Sequence, residues 1–467
     1  MFGEFPAALS TVRADRVREA QLSLVYDPST AGRSNGTAFK DPAFTENRTL
    51  PIHRWVPWIA GFSAGFVTDC LHEYLPGADP AATTVLDPFA GVGTTLVEAY
   101  RRGHNAVGFE INPYPALAAR AKLEAAEIRI EELEFWIRAF RSAMSDLVPS
   151  SMQPTAARPP GFKSRIPFFS ESIERQVLLA LSFVRGMADQ RLRDLFLVAI
   201  GSVMVRFSNY SYEPSLTSRP GAGKPLIEHA DVTCVISEKL YEILLDSRTL
   251  QAERVAAPSV TGRVIHGSIF DAREHLPESS IDLAITSPPY LNNYHYIRNT
   301  RPHLFWLDMV ADTSGLRVVE EASFGKFWQT VRDGEPIKLA FSLPSLESLL
   351  AELRKANPNK GVYGGGGWAN YAAQYFNDTD RLFEVMSALL KPGGRMVIVI
   401  GNSILQGIEI KVEEFLAEIG SRHGLCCEAM HMLRTKRVGN SIVRSSVRKD
   451  SGSAATLYEV AVVLQRI

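Results

Sequence analysis

Cysteine is scarce in this chain: Cys70, Cys234, Cys426 and Cys427 are the only four in 467 residues, and none form a C-x-x-C spacing. That argues against a disulfide framework and a cysteine-bound zinc, suits a reducing compartment, and makes the four read as core residues. A charge excess is missing too. Lys and Arg number 50 against 51 Asp and Glu, a formal net charge of -1, so any nucleic-acid-binding surface must be local rather than a property of the whole molecule. No apolar run approaches the length that spans a bilayer, and "MFGEFPAALSTVRADRVREA" lacks the basic start and apolar stretch of a signal peptide. The expectation is a soluble cytoplasmic protein with no membrane segment and no metal site. Internal repeats and low-complexity tracts are absent as well.

What is present is ample core material, 46% hydrophobic residues, in a chain longer than one ordinary domain. Residues 1–50 are polar and turn-rich, an arm or lid. "HRWVPWIAGFSAGFVTDCLHEYL" then shows the spacing of a helix packed on one face, and "TTVLDPFAGVGTTLVEAYRRGHNAVGFEINP" reads strand, glycine loop, helix, turn, strand. Residues 116–257 are helical in pattern and too long for a connection, which makes them an insertion. The β pattern resumes in "GRVIHGSIFDAREHLPESSIDLAITSPPY", so 51–115 and 258–303 form one core. Residues 304–368 are a second, loop-rich insertion ending in "GVYGGGGWANY", whose glycines read as a hinge or a flexible linker. The core closes over 369–467 with a helix, a Pro-Gly-Gly turn at "LKPGGRMVIVIGNS", a buried strand and two final strands.

The glycine loop carries the first chemistry. A buried strand from Thr84 to Leu86 runs into Asp87, Pro88 and Phe89, then Gly91 and Gly93, then a helix from Thr94 and Thr95. Glycines there permit a tight turn and a close approach of backbone to ligand. No Lys-Ser/Thr follows them and the third glycine of a dinucleotide loop is missing, so phosphate is not the expected ligand. The next strand ends in Glu110, from which a carboxylate can take two ribose hydroxyls. That combination points to a nucleoside such as S-adenosylmethionine; the bland alternative is a tight strand–helix turn with capping residues.

The second stretch is "SPPY". Ile281–Thr286 reads as a short buried strand that Pro288 and Pro289 must end, because proline lacks the N–H a ladder needs. Its carboxyl end opens into a loop, where open α/β sheets bind ligands.

With both stretches in view the chain resembles the amino-methyltransferases of DNA, which use S-adenosylmethionine to methylate exocyclic amines of cytosine or adenine. "DPFAGVGTT" looks like their cofactor motif, "EINP" like the ribose acid and "SPPY" like their catalytic motif, serine first being similar to the cytosine-N4 branch. The resemblance implies a class I methyltransferase fold: Rossmann-like α/β, with a mostly parallel seven-stranded sheet carrying the helical and loop-rich insertions. It implies cofactor contacts from Asp87, Pro88, Phe89, Gly91, Gly93, Thr94, Thr95, Glu110, Ser268 and Ile269. Ser268 departs from the family, which usually has an aspartate there against the adenine ring. It further implies duplex DNA with a specific recognition sequence as partner, a nucleoid location, and a cognate restriction endonuclease beside it.

The catalytic expectation falls on Ser287, Pro288, Pro289 and Tyr290. A nucleobase amine is a poor nucleophile because its lone pair is delocalised, and acceptors without competing donors favour the pyramidal nitrogen that can react. The Ser287 hydroxyl and Pro288 carbonyl can accept from it, the prolines remove opposing N–H groups, and Tyr290 can stack on a base extruded from the duplex. Carbon-5 methylation would need a cysteine nucleophile, commonly after a proline, and no cysteine has that setting. Adenine-N6 methylation on the same scaffold, and methylation of an RNA or small-molecule amine, stay open.

For nucleic-acid contact three stretches stand out. "LNNYHYIRNTRPHLFW" offers Tyr294 and Arg298, or packs its aromatics in the core; His295 beside them has no ligand-spaced partner. "VRFSNYSYEPSLTSRPGAGKP" offers Arg206 and Asn209 in a long loop. "LRTKRVGNSIVRSSVRKD" offers Arg437 and Arg444 in a basic hairpin, or is merely a solvated one.

Overall fold

The computed structural model describes residues 39–58, 61, 63–213, 215–254, 260–291, 296–436 and 456–467. Its central sheet has seven strands: β1 Thr84–Asp87, β2 Asn105–Glu110, β3 Gly262–His266, β4 Ile281–Thr286, β5 Leu390–Gly401, β6 Leu425–Lys436 and β7 Leu457–Arg466. They lie in the order β3-β2-β1-β4-β5-β7-β6. The first five are parallel, with Leu86 opposite Val107 on one side and Ala284 on the other; β7 runs antiparallel to both β5 and β6. This is the class I methyltransferase fold. Parallel strands covered on both faces are largely apolar, and "VL", "LAI" and "MVIVI" are, while Asp282 of β4 accepts from Thr84 N–H and pairs with Lys391.

Helices α1 Ala64–Tyr74, α2 Thr94–Arg101 and α3 Pro113–Glu124 lie in the first half of the core, α1 starting at Ser63, whose hydroxyl accepts from Phe66 N–H. The long amphipathic pattern from His53 is thus two pieces, a 3-10 turn His53–Trp55 and then α1. Residues 39–50 of the expected arm dock on α1 through Phe39 against Phe66 and the backbone N–H of Lys40 to Asp69. The rest of the arm lies outside the described residues.

The helical insertion holds α4 Ile130–Leu147, α5 Glu171–Arg185, α6 Gln190–Val203 and α7 Val232–Arg254, with a short hairpin, Tyr210–Tyr212 paired to Leu216–Ser218. Phe140, Phe169, Val177, Phe196 and Leu240 lie in an apolar core that continues into Trp55, Val92, Val97 and Leu304 outside the insertion.

The second insertion contains the end of α8 Tyr296–Trp306, then α9 Thr313–Ala322, α10 Trp328–Val331 and α11 Pro344–Lys355. Its glycine run is neither hinge nor linker: α12, Gly365–Leu389, begins in it. The reason is steric, since a Cβ on Gly365 would stand 1.6 Å from the Leu353 carbonyl. "LKPGG" is likewise not a separate turn but the irregular start of β5, with Gly393 at φ 77° and a register shift between Ile281 and Leu283. The last helix is α13 Val412–Arg422.

Of the cysteines only Cys70 is buried; Cys234, Cys426 and Cys427 are exposed, the last two because β6 is an edge strand. Among the described residues no helix is long and apolar enough to cross a membrane, and no group of three or more His, Cys, Asp or Glu is placed to hold a metal.

Candidate active site

The strand order reverses at β1, with β2 on one side and β4 on the other, and the carboxyl ends of the three strands meet at one edge of the sheet. That reversal leaves a crevice, because the loops after β1 and β4 lead off in opposite directions.

Asp87 ends β1 and is 1% exposed. Its carboxylate accepts from Phe89 N–H at 3.0 Å, from the Thr95 hydroxyl at 2.7 Å and from the Thr286 hydroxyl at 2.7 Å. One side chain therefore ties the glycine loop, the start of α2 and the residue before Ser287. Burial pushes its pKa up to about 6 against those three bonds. Beyond it Gly91 and Gly93 take φ of 51° and 85°, the left-handed region open to glycine. A Cβ on Gly93 would also meet that of Ala119 on α3 at 2.9 Å.

Glu110 ends β2. Its two carboxylate oxygens accept from Gly91 N–H at 2.8 Å and Asn112 N–H at 2.7 Å, which orients the group and keeps a lone pair on each oxygen for a ligand. Loss of water raises its pKa to about 7, the two backbone bonds opposing. Asn112 is 3% exposed; its amide donates to the Thr300 hydroxyl at 2.8 Å, and among the described residues its carbonyl oxygen has no partner.

These groups line one cavity, of about 1210 Å3 including its open mouth. Of the residues singled out in the sequence, Pro88, Phe89, Gly91, Thr94, Glu110, Ser268, Ile269, Ser287 and Pro289 stand in its wall. Asp87, Gly93, Thr95, Pro288 and Tyr290 do not; they support the wall from behind. Ser268 caps the 3-10 turn Ile269–Glu274, accepting from Phe270 N–H at 3.2 Å. Tyr290, expected as a stacking face, hydrogen-bonds Ser287 and packs 3.4 Å from where a Cβ of Gly401 would be, at the end of β5. Burial, then the neighbouring Glu459, pushes its phenol pKa up.

Among the wall residues that the sequence reading did not single out are the aromatics Trp58, Tyr296, Phe324 and Phe327. Trp58 and Tyr296 stack with centroids 6.1 Å apart, and Phe324, from the second insertion, sits edge-on to Phe89 at 5.1 Å. Asn112 had a local signal, its place two residues after the acid and one before Pro113. Behind the wall lies fully buried Lys122 on α3, which donates to the Val92 carbonyl in the glycine loop at 2.9 Å. Burial lowers its pKa to about 7, nearby Lys239 adding to the effect.

The nucleic-acid candidates take different positions. Arg206 and Arg298 are exposed. Asn209 is 3% exposed and structural: its amide donates to Pro167 O and Ser170 Oγ, and its carbonyl accepts from Ile227 N–H. Arg434, the first cation of the basic hairpin, is neutralised by Glu459 at 2.5 Å and Asp41 at 3.6 Å. Tyr294, Arg437 and Arg444 lie outside the described residues.

The ligand of a class I methyltransferase at this edge is S-adenosylmethionine, and the residues present fit it. Glu110 is fixed to accept from two hydroxyls, the unpaired Asn112 carbonyl calls for a donor, and Phe89, Ile111, Ile269 and Phe270 offer an apolar bed. No protein-family model matches the chain. Curated relatives over most of its length are Type II methyltransferases. M.BsoBI of Geobacillus stearothermophilus is 24% identical over 91% of this chain and 87% of that protein. M.AvaI of Nostoc sp. is 25% identical over 85% and 84%. Likeness to solved structures is loose: the rRNA methyltransferase aviRa from Streptomyces viridochromogenes superposes with a TM-score of 0.31 at 11% identity, covering 93% of this chain and 96% of that one.

Proposed function

We propose that this protein is a site-specific DNA methyltransferase that moves a methyl group from S-adenosylmethionine to the N4 amine of a cytosine turned out of the duplex. The observation that carries the reading is the single carboxylate of Asp87, which bonds the glycine loop at Phe89, α2 at Thr95 and, through Thr286, the strand that delivers "SPPY". The nucleoside-holding and amine-holding motifs are thereby joined in one wall. The kinship with Type II methyltransferases over most of the chain supports the choice of DNA.

When bound, S-adenosylmethionine supplies an electrophilic methyl on its sulfonium. The chain's own task is positioning. Glu110 holds the ribose, and the Ser287 hydroxyl, in the cavity wall, accepts from the target amine, so that its lone pair turns towards the methyl. Pro288 and Pro289 contribute no N–H that would compete. Tyr290 orients the Ser287 hydroxyl through the bond between them. Transfer leaves a proton on the amine, which the acceptors around Ser287 can pass to solvent. Serine as the first residue of the motif favours cytosine over adenine.

Nucleoside analysis of genomic DNA incubated with enzyme and labelled cofactor tests the reading. N4-methylcytosine is the expected product; N6-methyladenine would keep the enzyme class and change the base, and neither would end the proposal.

A further inference from the structure

Of the stretches of 18 or more residues in this chain that carry no acidic residue, three meet beside the catalytic edge. They are 147–170, between Asp146 and Glu171; 195–212, between Asp194 and Glu213; and 283–307, between Asp282 and Asp308. The third carries "SPPY" and α8. They lie far apart in sequence, yet the fold brings them together. The backbone N–H of Asn209 donates to Phe168 O at 2.8 Å, and its side chain reaches Pro167 O at 3.2 Å, joining the first two. Phe162 packs on Phe305 and Trp306 of α8 with centroids 5.6 and 6.3 Å away, joining the first to the third. The small hairpin after 209 meets α8 where Tyr212 donates to Asn299 O at 3.2 Å and Leu216 N–H to Asn299 Oδ1 at 2.8 Å.

On this junction sit Lys163, Arg165 and Arg206, all exposed and, among the described residues, none in an ion pair with an acid. Most cations of the helical insertion are otherwise matched: Arg120 with Asp194, Arg138 with Glu134, Arg158 with Glu174, Lys239 with Glu242. Lys163, Arg165 and Arg206 thus leave unmatched positive charge on this surface. That surface adjoins the catalytic edge, because α8 starts at Tyr296 in the cavity wall and its 11 residues span only about 16 Å. Arg298, exposed on its first turn, lies between the two.

We infer that the surface formed by Lys163, Arg165 and Arg206 holds the phosphate backbone of the duplex beside the target base, with the Tyr210–Ser218 hairpin as its neighbouring edge. The inference rests on the DNA reading above and adds where the duplex lies. Phosphate contacts position a duplex without reading sequence, so these side chains set register and orientation. The hairpin's bond to Asn299 couples that register to the helix leaving the catalytic loop.

The test is fluorescence anisotropy with a labelled mixed-sequence 30-bp duplex over a salt series, on the full chain and on the triple variant K163A/R165A/R206A. Affinity should fall about tenfold or more, and the slope of log K against log salt should flatten by about one unit per residue removed. Cofactor affinity should not change, which checks folding. Lys355→Ala, on α11, should bind duplex as wild type does. Equal duplex binding by the triple variant and the wild type overturns the inference, as does single-stranded RNA of the same length displacing the duplex at lower concentration. A wild type that binds duplex through this surface but leaves no methylated base would instead defeat the methyltransferase reading, so the two failures are distinguishable.

Discussion

The two halves of the catalytic edge use opposite hydrogen-bond logic. At β2 the backbone supplies donors, Gly91 N–H and Asn112 N–H both pointing at Glu110, and so holds an acid ready for hydroxyls. At β4 the backbone withholds donors, two prolines following Ser287, and in the proposed function this leaves acceptors for an amine. Asp87, at the end of β1 between them, bonds the glycine loop at Phe89, α2 at Thr95 and the end of β4 at Thr286. On the proposed function, ligand type at each strand end follows from whether its backbone can donate, not from charge alone.

The largest expected effect comes from the donor-free half. Ser287→Ala should lower kcat by about 100-fold or more, on the scale of losing one transition-state hydrogen bond, with cofactor Kd unchanged. Steady-state kinetics with calorimetry of cofactor binding separates the two; equal loss in both would erase the division of labour. Glu110→Gln should do the reverse. Removing charge from the acceptor weakens cofactor binding by roughly 10- to 100-fold, about 1.5–3 kcal/mol, with kcat largely regained at saturating cofactor.

A finer cut uses the two threonines on Asp87. Thr286→Val should act mainly on kcat and Thr95→Val mainly on cofactor Kd, each through a bond of about 1 kcal/mol. If both variants move both constants alike, Asp87 couples the halves rigidly rather than serving each. Lys122→Met tests the loop from behind. Losing the bond to Val92 O should raise cofactor Kd several-fold and leave duplex binding alone.

The smallest effect is a pH dependence. Glu110 has its pKa raised to about 7, so its charged form is the minority below that value. Ribose hydroxyls donate to the carboxylate and favour that form, so binding releases a proton. Cofactor affinity should therefore rise as pH is raised from 6 to 8, and Glu110→Gln should flatten the profile.

Much of the edge was legible because it is local. The glycine loop, Glu110 and "SPPY" are each set by a few adjacent residues with strict backbone needs, positive φ at Gly91 and Gly93 and a missing N–H at the prolines. The roles of Asp87 and Asn209 were not, since a short polar side chain reads the same whether it meets ligand or protein. Only its neighbours decide, and for Asp87 two of the three come from other elements. The glycines at 364–367 misled for a related reason: glycine marks flexibility or close approach, and here it is Leu353 O, distant in sequence, that demands the second.

By itself, the sequence determined the strand–loop–helix order, the two motifs and the chemistry each permits, because those depend on which residues can donate, turn or ionise. Tertiary structure alone decided that Trp58, Tyr296 and Phe324 complete the cavity, that Arg434 is spent on Glu459, and that three acid-free stretches meet beside the site. Contacts between residues far apart in the chain depend on how the insertions fold back on the sheet, and no short pattern encodes that.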